Sequence, residues 1–431
     1  MSKDDLRIYP ESARKRGDSE YFIADTDSGS ILSVSGPDSE LFEGDIRSLS
    51  GKTHKLCPLT VKNSKTIREL FDFTNPKSHK GFDTTIGLGD RLGVASPGHI
   101  RLLRDLDVFP VLAQQSMREL NLTGRRYEDV LAAAVWAVFR EGYTKGYGAD
   151  GDHLKTYDEV KCAIDCGFSM ITLDCSEHIP NGLGAVADFA VDIYNKLIRD
   201  NDIDFELSID ETQEVTTPED HRFIAERLKK DGVETVSIAP RFCGEFQKGI
   251  DYRGDVEEFE KEFTVHAQIA EEYGYKLSIH SGSDKFSIFP IISKLTGKRF
   301  HLKTAGTNWL EAVRVIAAGD PPLYREMHTF ALERLPEAKK YYHITEDVNK
   351  IADINNVPDA MLPDYMEQDD ARQVLHVTYG LILQAKNANG SLRFRDRIYS
   401  ALYENESDYF YALEKHIGRH LTSLGIDLAR V

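Results

Sequence analysis

Between residues 80 and 310 the chain repeats one pattern eight times: a short apolar run, a polar ending, and then an amphipathic stretch. The endings are GLGDRLG at 87–93, LAQQS at 112–116, GADGDHLKT at 148–156, TLDCSEH at 172–178, SIDET at 208–212, APRF at 239–242, SIHSGSDK at 278–285 and HLKTAGTN at 301–308. Eight strand–helix units predict an α/β fold closed into a parallel (β/α)8 barrel, which places its chemistry at the C-terminal ends of the strands. Here those ends carry histidines, carboxylates and lysines, the composition of a metal-assisted site.

The spacing divides the chain into three parts. Residues 1–80 read as a small β-rich cap, with strand-like YFIADTD, ILSVSG and HKLCPLTV followed by a helix in KNSKTIRELFDF. Residues 81–320 form the barrel, and 321–431 are a helical extension packed on it. Ser96 is expected to cap the helix that starts near Pro97; Thr217 caps the next well-marked one, with Pro218 at its first position and Gly232 past its end.

A barrel strand has one face against the helices and one toward the barrel interior. In MITLDCS the apolar residues alternate with Thr172, Asp174 and Ser176; KLSIHSG does so with Ser278 and His280, and FHLKT with His301 and Lys303. These polar groups therefore point inward, where an unpaired charge is strongly unfavourable. A bound metal or substrate would satisfy them.

His280 and His301, at the ends of neighbouring strands, are the leading metal-ligand candidates. Neutral imidazole is the commonest transition-metal ligand. His153 supplies a further ligand from the third strand. Alternation points Asp210 inward, but strand ends turn, so Glu211 is taken as the carboxylate ligand. Asp174 is a candidate general base, or the partner that orients His153. Asp210 is the other candidate for proton exchange. Zinc is the first expectation for the ion, with Mn, Ni, Co and Fe also compatible with such a donor set.

A net charge of −18 disfavours nucleic acid, because phosphate binding needs a basic face. An anionic substrate would require local cations, and Arg91, Lys155, Lys285 and Lys303 stand at strand ends. Arg91 and Lys303 are expected to hold a carboxylate or polarise a carbonyl. Gln114 would bind a hydroxyl, and Ser281 in the HSGSDK loop would help wrap an anionic group. No run approaches the roughly 20 apolar residues of a membrane span. The five cysteines form no CxxC pair, which fits a reducing cytoplasm. His416 and His420 share a helix with Lys415 and Arg419 and read as a solvated face. There is no phosphate-binding GxxxxGK[ST] loop, no HxH pair, and GLGDRLG lacks the dinucleotide spacing.

The motifs TIGLGDRLG, GADGDHLKT, TLDCSEHI, SIDET, IHSGSDKFS and HLKTAGTN, spread over residues 85–308, together resemble the tagaturonate epimerase family of metal-dependent barrel enzymes. That resemblance implies interconversion of D-tagaturonate and D-fructuronate in hexuronate catabolism. The two hexulosonates differ at a carbon β to the ketone, where direct deprotonation is unfavourable. A retro-aldol route fits: Asp174 or Asp210 exchanges the hydroxyl proton, the aldehyde half turns, and re-addition sets the opposite configuration. A metal would stabilise the enediolate as a Lewis acid. A metal-dependent aldolase or a ketose isomerase on neutral sugars is the alternative. The partner is a small hexuronate, and assembly into a homo-oligomer is left open.

Overall fold

The computed structural model describes residues 6–26 and 29–428. Eight parallel strands close into a barrel: β6 Thr84–Gly89, β7 Phe109–Ser116, β8 Gly148–Leu154, β9 Met170–Asp174, β10 Asp204–Ile209, β11 Ser237–Pro240, β12 Lys276–Ile279 and β13 Phe300–Ala305. β13 pairs back onto β6, with Phe300 opposite Thr84 and Lys303 opposite Gly87. Each strand falls in one sequence repeat, with β8 made of the polar GADGDHL itself and β7 and β13 running on into their polar endings, which gather with the rest at one mouth.

The N-terminal sheet is antiparallel in the order β1-β2-β3-β5-β4, from β1 Arg7–Arg16, β2 Ser19–Thr26, β3 Gly29–Ser35, β4 Asp45–Leu49 and β5 Lys52–Pro58. The sequence reading missed β1 and β4. Both are edge strands, rich in charge, and β1 contains Pro10, which only an edge tolerates. The DSGS turn expected between the first two cap strands begins at residues 27–28, outside the described residues. Tyr21 meets Phe71 edge-on, and Phe71 meets Phe139 of the helix Tyr127–Arg140, so the sheet continues the core of the barrel.

Local signals set several helix ends. Thr217 accepts a hydrogen bond from the Asp220 N–H, and Asp220 accepts one from Thr217, at the start of Pro218–Lys230. Thr156 and Glu159 form the same box before Tyr157–Cys166. Ser96 is not a cap: the helix Ser96–Leu103 begins with it, and the Asp90 carboxylate accepts from the N–H groups of Leu92, Gly93 and Ala95 ahead of it.

The C-terminal helices, among them Pro321–Ala338, Asp369–Val377 and Glu406–Ser423, build a second apolar core with Trp309 and Val313. Glu406–Ser423 crosses Ser96–Leu103 at Gly98, where a Cβ would meet the Phe410 backbone and the Leu413 side chain at 3.2 Å. None of the helices is long and apolar enough to cross a membrane among the described residues.

Candidate active site

The inward faces of the strands form a polar ladder up the barrel axis. At its foot, Asp204 accepts from the Ser78 hydroxyl and the His79 N–H, and Lys276 reaches His79 and Thr85. His301 lies in this lower layer: Nδ1 is 2.7 Å from Thr85 Oγ1 and the ring stacks on His79. Burial holds its pKa well below the usual histidine value. His301 is therefore not grouped with the other ligand candidates. It precedes Lys303 by two residues and lies opposite Ser278, two residues before His280. Strand stagger leaves it a layer too deep.

Above it stands Lys303, fully enclosed. Its ammonium is 2.7 Å from both Asp150 and Asp152 and 3.0 Å from Glu206. Burial opposes its charge, but those three carboxylates raise its pKa well above the ordinary lysine value. Lys303 is thus committed to balancing buried carboxylates, which leaves it no donor in reserve for a substrate carboxylate.

The top layer brings together His153, Asp210 and His280, one donor atom of each within 4.8 Å of the others. The His280 ring bridges two carboxylates, with Nε2 2.7 Å from Glu206 and Nδ1 3.1 Å from Asp210. Burial opposes a charged ring, yet Asp210 and Glu206 outweigh it and raise the His280 pKa to about 10. Burial likewise works against the Asp210 carboxylate, and His280 reverses that, holding its pKa below the usual range. His153 arrives through a bulge: Gly151 pairs with Ile171 and Leu154 with Leu173, so β8 carries one extra residue. Its φ of 53° is left-handed, a strain of roughly 1–2 kcal/mol for a residue with a Cβ. Its Nδ1 faces Asp174 Oδ2 at 3.5 Å, and both atoms are buried without a hydrogen-bond partner.

This arrangement fits a divalent ion. Two imidazoles and a carboxylate are transition-metal donors. Glu206 and Asp174 stand behind the two rings as the outer carboxylates that orient ligating histidines. Glu211, 3.3 Å from Arg118 and 4.0 Å from Lys155, lies outside that trio but forms a second potential metal-holding group with His153 and Asp174. Glu206 was missed, although the alternation in DFELSID (Glu206, Ser208, Asp210) marks it as inward-facing.

These groups open into a cavity of about 600 Å³. Gln114 lines it, its Oε1 without a partner and lying against Gly87. Arg91 also lines it, but its guanidinium pairs with Glu119 at 3.0 Å, donates to the His376 carbonyl and covers the Tyr379 ring. Lys155 sits at the rim, 3.6 Å from Asp174 and 3.1 Å from Glu177. Ser281 accepts from Lys248 Nζ at 2.8 Å. Lys248 and Tyr342 on this wall carry no sequence signal, because they lie in loops without a period, and Arg118 sits on the short helix Met117–Thr123.

Lys285 does not line the cavity. It is fully buried, and its ammonium donates to the carbonyls of Gln247, Ile250 and Ser283, pinning the loop that carries Lys248. The expected solvated face of His416 and His420 is also overturned. His420 Nε2 accepts from the Asp284 N–H at 2.9 Å, and His416 lies 3.7 Å from Asp284 and 3.6 Å from Glu311. Their helix turns that face onto the loop after β12, at the edge of a second cavity of about 920 Å³ that holds none of the barrel-mouth ligands.

The family model described as tagaturonate epimerase matches residues 9–187 and 183–424. The tagaturonate/fructuronate epimerase of Thermotoga maritima is 37% identical over 97% of this chain and 96% of its own length. Native and two-glycerol crystal structures of the fructuronate-tagaturonate epimerase of Cohnella laeviribosi are 43% and 44% identical, cover 98% of this chain and 97% of theirs, and superpose with a TM-score of 0.94. With the match running through the cap, the barrel and the helical extension alike, the chain belongs to the tagaturonate epimerase family.

Proposed function

We propose that this chain interconverts D-tagaturonate and D-fructuronate by retro-aldol cleavage and re-addition, with His153, Asp210 and His280 as the ligands of a divalent metal. The observation that carries this reading is the largely enclosed donor trio, backed by two outer carboxylates and opening into a cavity lined by both cations and carboxylates. A bound ion, zinc before Mn, Ni, Co or Fe, would supply Lewis-acid stabilisation of the negative charge that develops when the carbon–carbon bond opens.

The protein's own groups do the rest. Asp210 and Glu211 are adjacent carboxylates with separate tasks. Asp210 is tied to His280, whereas Glu211 stands on the cavity wall and takes the proton of the β-hydroxyl, returning it after the aldehyde half has turned. Asp174 holds the His153 ring, and Gln114 offers its unpartnered amide oxygen to a sugar hydroxyl. Lys303 keeps the floor of the site electrically balanced.

The test is NMR of purified protein with D-fructuronate, after chelation and again after adding back zinc, manganese or nickel. Tagaturonate should form only with metal, and in D2O the epimerised carbon should keep its own hydrogen. Deuterium at that carbon would replace the retro-aldol step by deprotonation. No turnover after verified metal loading would remove the assignment. Glu211→Gln should lower kcat at least about 100-fold with metal retained, in line with the usual contribution of a proton-transfer group. Asp210→Asn should instead lose metal.

A further inference from the structure

The cavity wall carries an ammonium that no carboxylate pairs with directly. Lys248 comes from the long loop after β11 and is partly buried. Its Nζ donates to Ser281 Oγ at 2.8 Å, and among the described residues no carboxylate lies within 4.0 Å of it. Its neighbour Arg118 covers the Tyr342 ring and meets Glu211 at 3.3 Å, but its Nε is buried without a partner. The other lysines of the site differ: Lys303 has three carboxylate partners and Lys155 has Asp174, Glu177 and Glu211. Burial, and then repulsion from Arg118, lowers the Lys248 pKa, and the carboxylates of Glu119 and Glu211 offset this only in part. Two adjacent cations in a low-dielectric wall are unfavourable alone, and a bound anion relieves both.

We infer that Lys248, together with Arg118 Nε, binds the carboxylate of the substrate and anchors the aldehyde half during epimerisation. The inference rests on the proposed reaction. Cleavage between the α and β carbons gives an enediolate of carbons 1–3 and an aldehyde of carbons 4–6; the hydroxyl proton passes to the base and the bonding pair stays on the α carbon. The carboxylate lies on the aldehyde half, at the end remote from the new carbonyl. A cation holding that end leaves the carbonyl free to rotate about its single bond and present its other face. It also prevents escape. An aldehyde acid that leaves would strand the enediolate, which takes up a proton to become dihydroxyacetone, so that one hexulosonate anion yields one dihydroxyacetone and one tartronate semialdehyde anion.

Lys248→Met should therefore raise KM for D-fructuronate and the inhibition constant of tartronate, a mimic of the aldehyde half, by roughly 10- to 100-fold, the usual loss for a hydrogen bond to a charged group. It should also release dihydroxyacetone and the aldehyde acid, which the wild type retains. Lys248→Arg should restore part of both properties, and the affinity of Lys248→Met for the neutral ketose tagatose should fall less than its affinity for tartronate. A merely structural role would move the neutral and anionic ligands together. Should Lys248→Met fail to fold, Lys248→Gln carries the same measurements. Tartronate binding by calorimetry needs no turnover, so it separates the two claims. Equal tartronate affinity in wild type and folded, metal-loaded Lys248→Met overturns the anchor, whereas a wild type that binds tartronate but does not interconvert the hexulosonates overturns the reaction.

Discussion

Replacing Lys303 with methionine tests the charge balance inside the barrel. The ammonium is enclosed by Asp150, Asp152 and Glu206 at 2.7–3.0 Å. Removing one partner of a buried pair typically destabilises by about 3–5 kcal/mol, because the other charge stays buried and uncompensated. The pH dependence is more diagnostic. Burial pushes the Asp150 carboxyl up, Lys303 pulls it back and Asp152 adds to the rise, leaving it at about 6. Without Lys303 it should climb above about 7.5, inside the three-to-five-unit range of buried carboxyls. Unfolded, the same group titrates near 3.9. Between pH 5.5 and 7.5 the folded variant then holds one proton that the unfolded chain lacks, and stability falls as pH rises, by about 1.4 kcal/mol per pH unit or about 2.7 over the window. In the wild type Asp150 gives up its proton partway, and its contribution falls by only about 1 kcal/mol over the same window. Guanidinium unfolding followed by the fluorescence of the buried Trp136 and Trp309 measures both proteins at both pH values. The deficit of the variant should be about 2 kcal/mol larger at pH 7.5 than at 5.5. A deficit equal at the two pH values would falsify the account of Asp150, and one below about 1 kcal/mol would refute the buried-pair argument itself.

Further outcomes are expected for the ligand trio, its surroundings and the packing of the extension. Glu206→Gln should weaken metal binding about 10- to 100-fold in chelator competition, since the charge orienting His280 is lost; His301→Asn should leave metal content unchanged, while His153→Ala and His280→Ala should lose the ion in elemental analysis. Lys285→Met should lower stability by about 3 kcal/mol or more, because three buried carbonyls lose their donor; proteolysis should then cut first in the loop around residues 247–251. Gly98→Leu should lower stability by about 1–3 kcal/mol through overpacking against Phe410 and Leu413, seen as a reduced unfolding midpoint with metal content intact.

The eight strands, their polar endings and their inward faces were legible in the sequence, because a period of two and a short apolar run are local properties. So was the cap at Thr217, where the donor and acceptor lie three residues apart. Edge strands β1 and β4 were not, since an edge needs neither an apolar face on both sides nor freedom from proline. Alternation also gives a residue's face but not its height. His280 and His301 both point inward, yet only the stagger of β12 against β13 puts one at the mouth and the other beside His79, and that register is set by closing the whole barrel. The bulge at Asp152–His153 likewise moves a histidine that alternation assigns to the outer face. Lys248 and Tyr342 sit in loops with no period, Arg118 on the short helix Met117–Thr123, and they meet only because the loop after β11 is pinned by Lys285 and the C-terminal extension folds back over the mouth. The sequence thus determined which strands carry the chemistry; tertiary structure decided which groups share a layer, because pairwise distances across a barrel depend on contacts far apart in the chain.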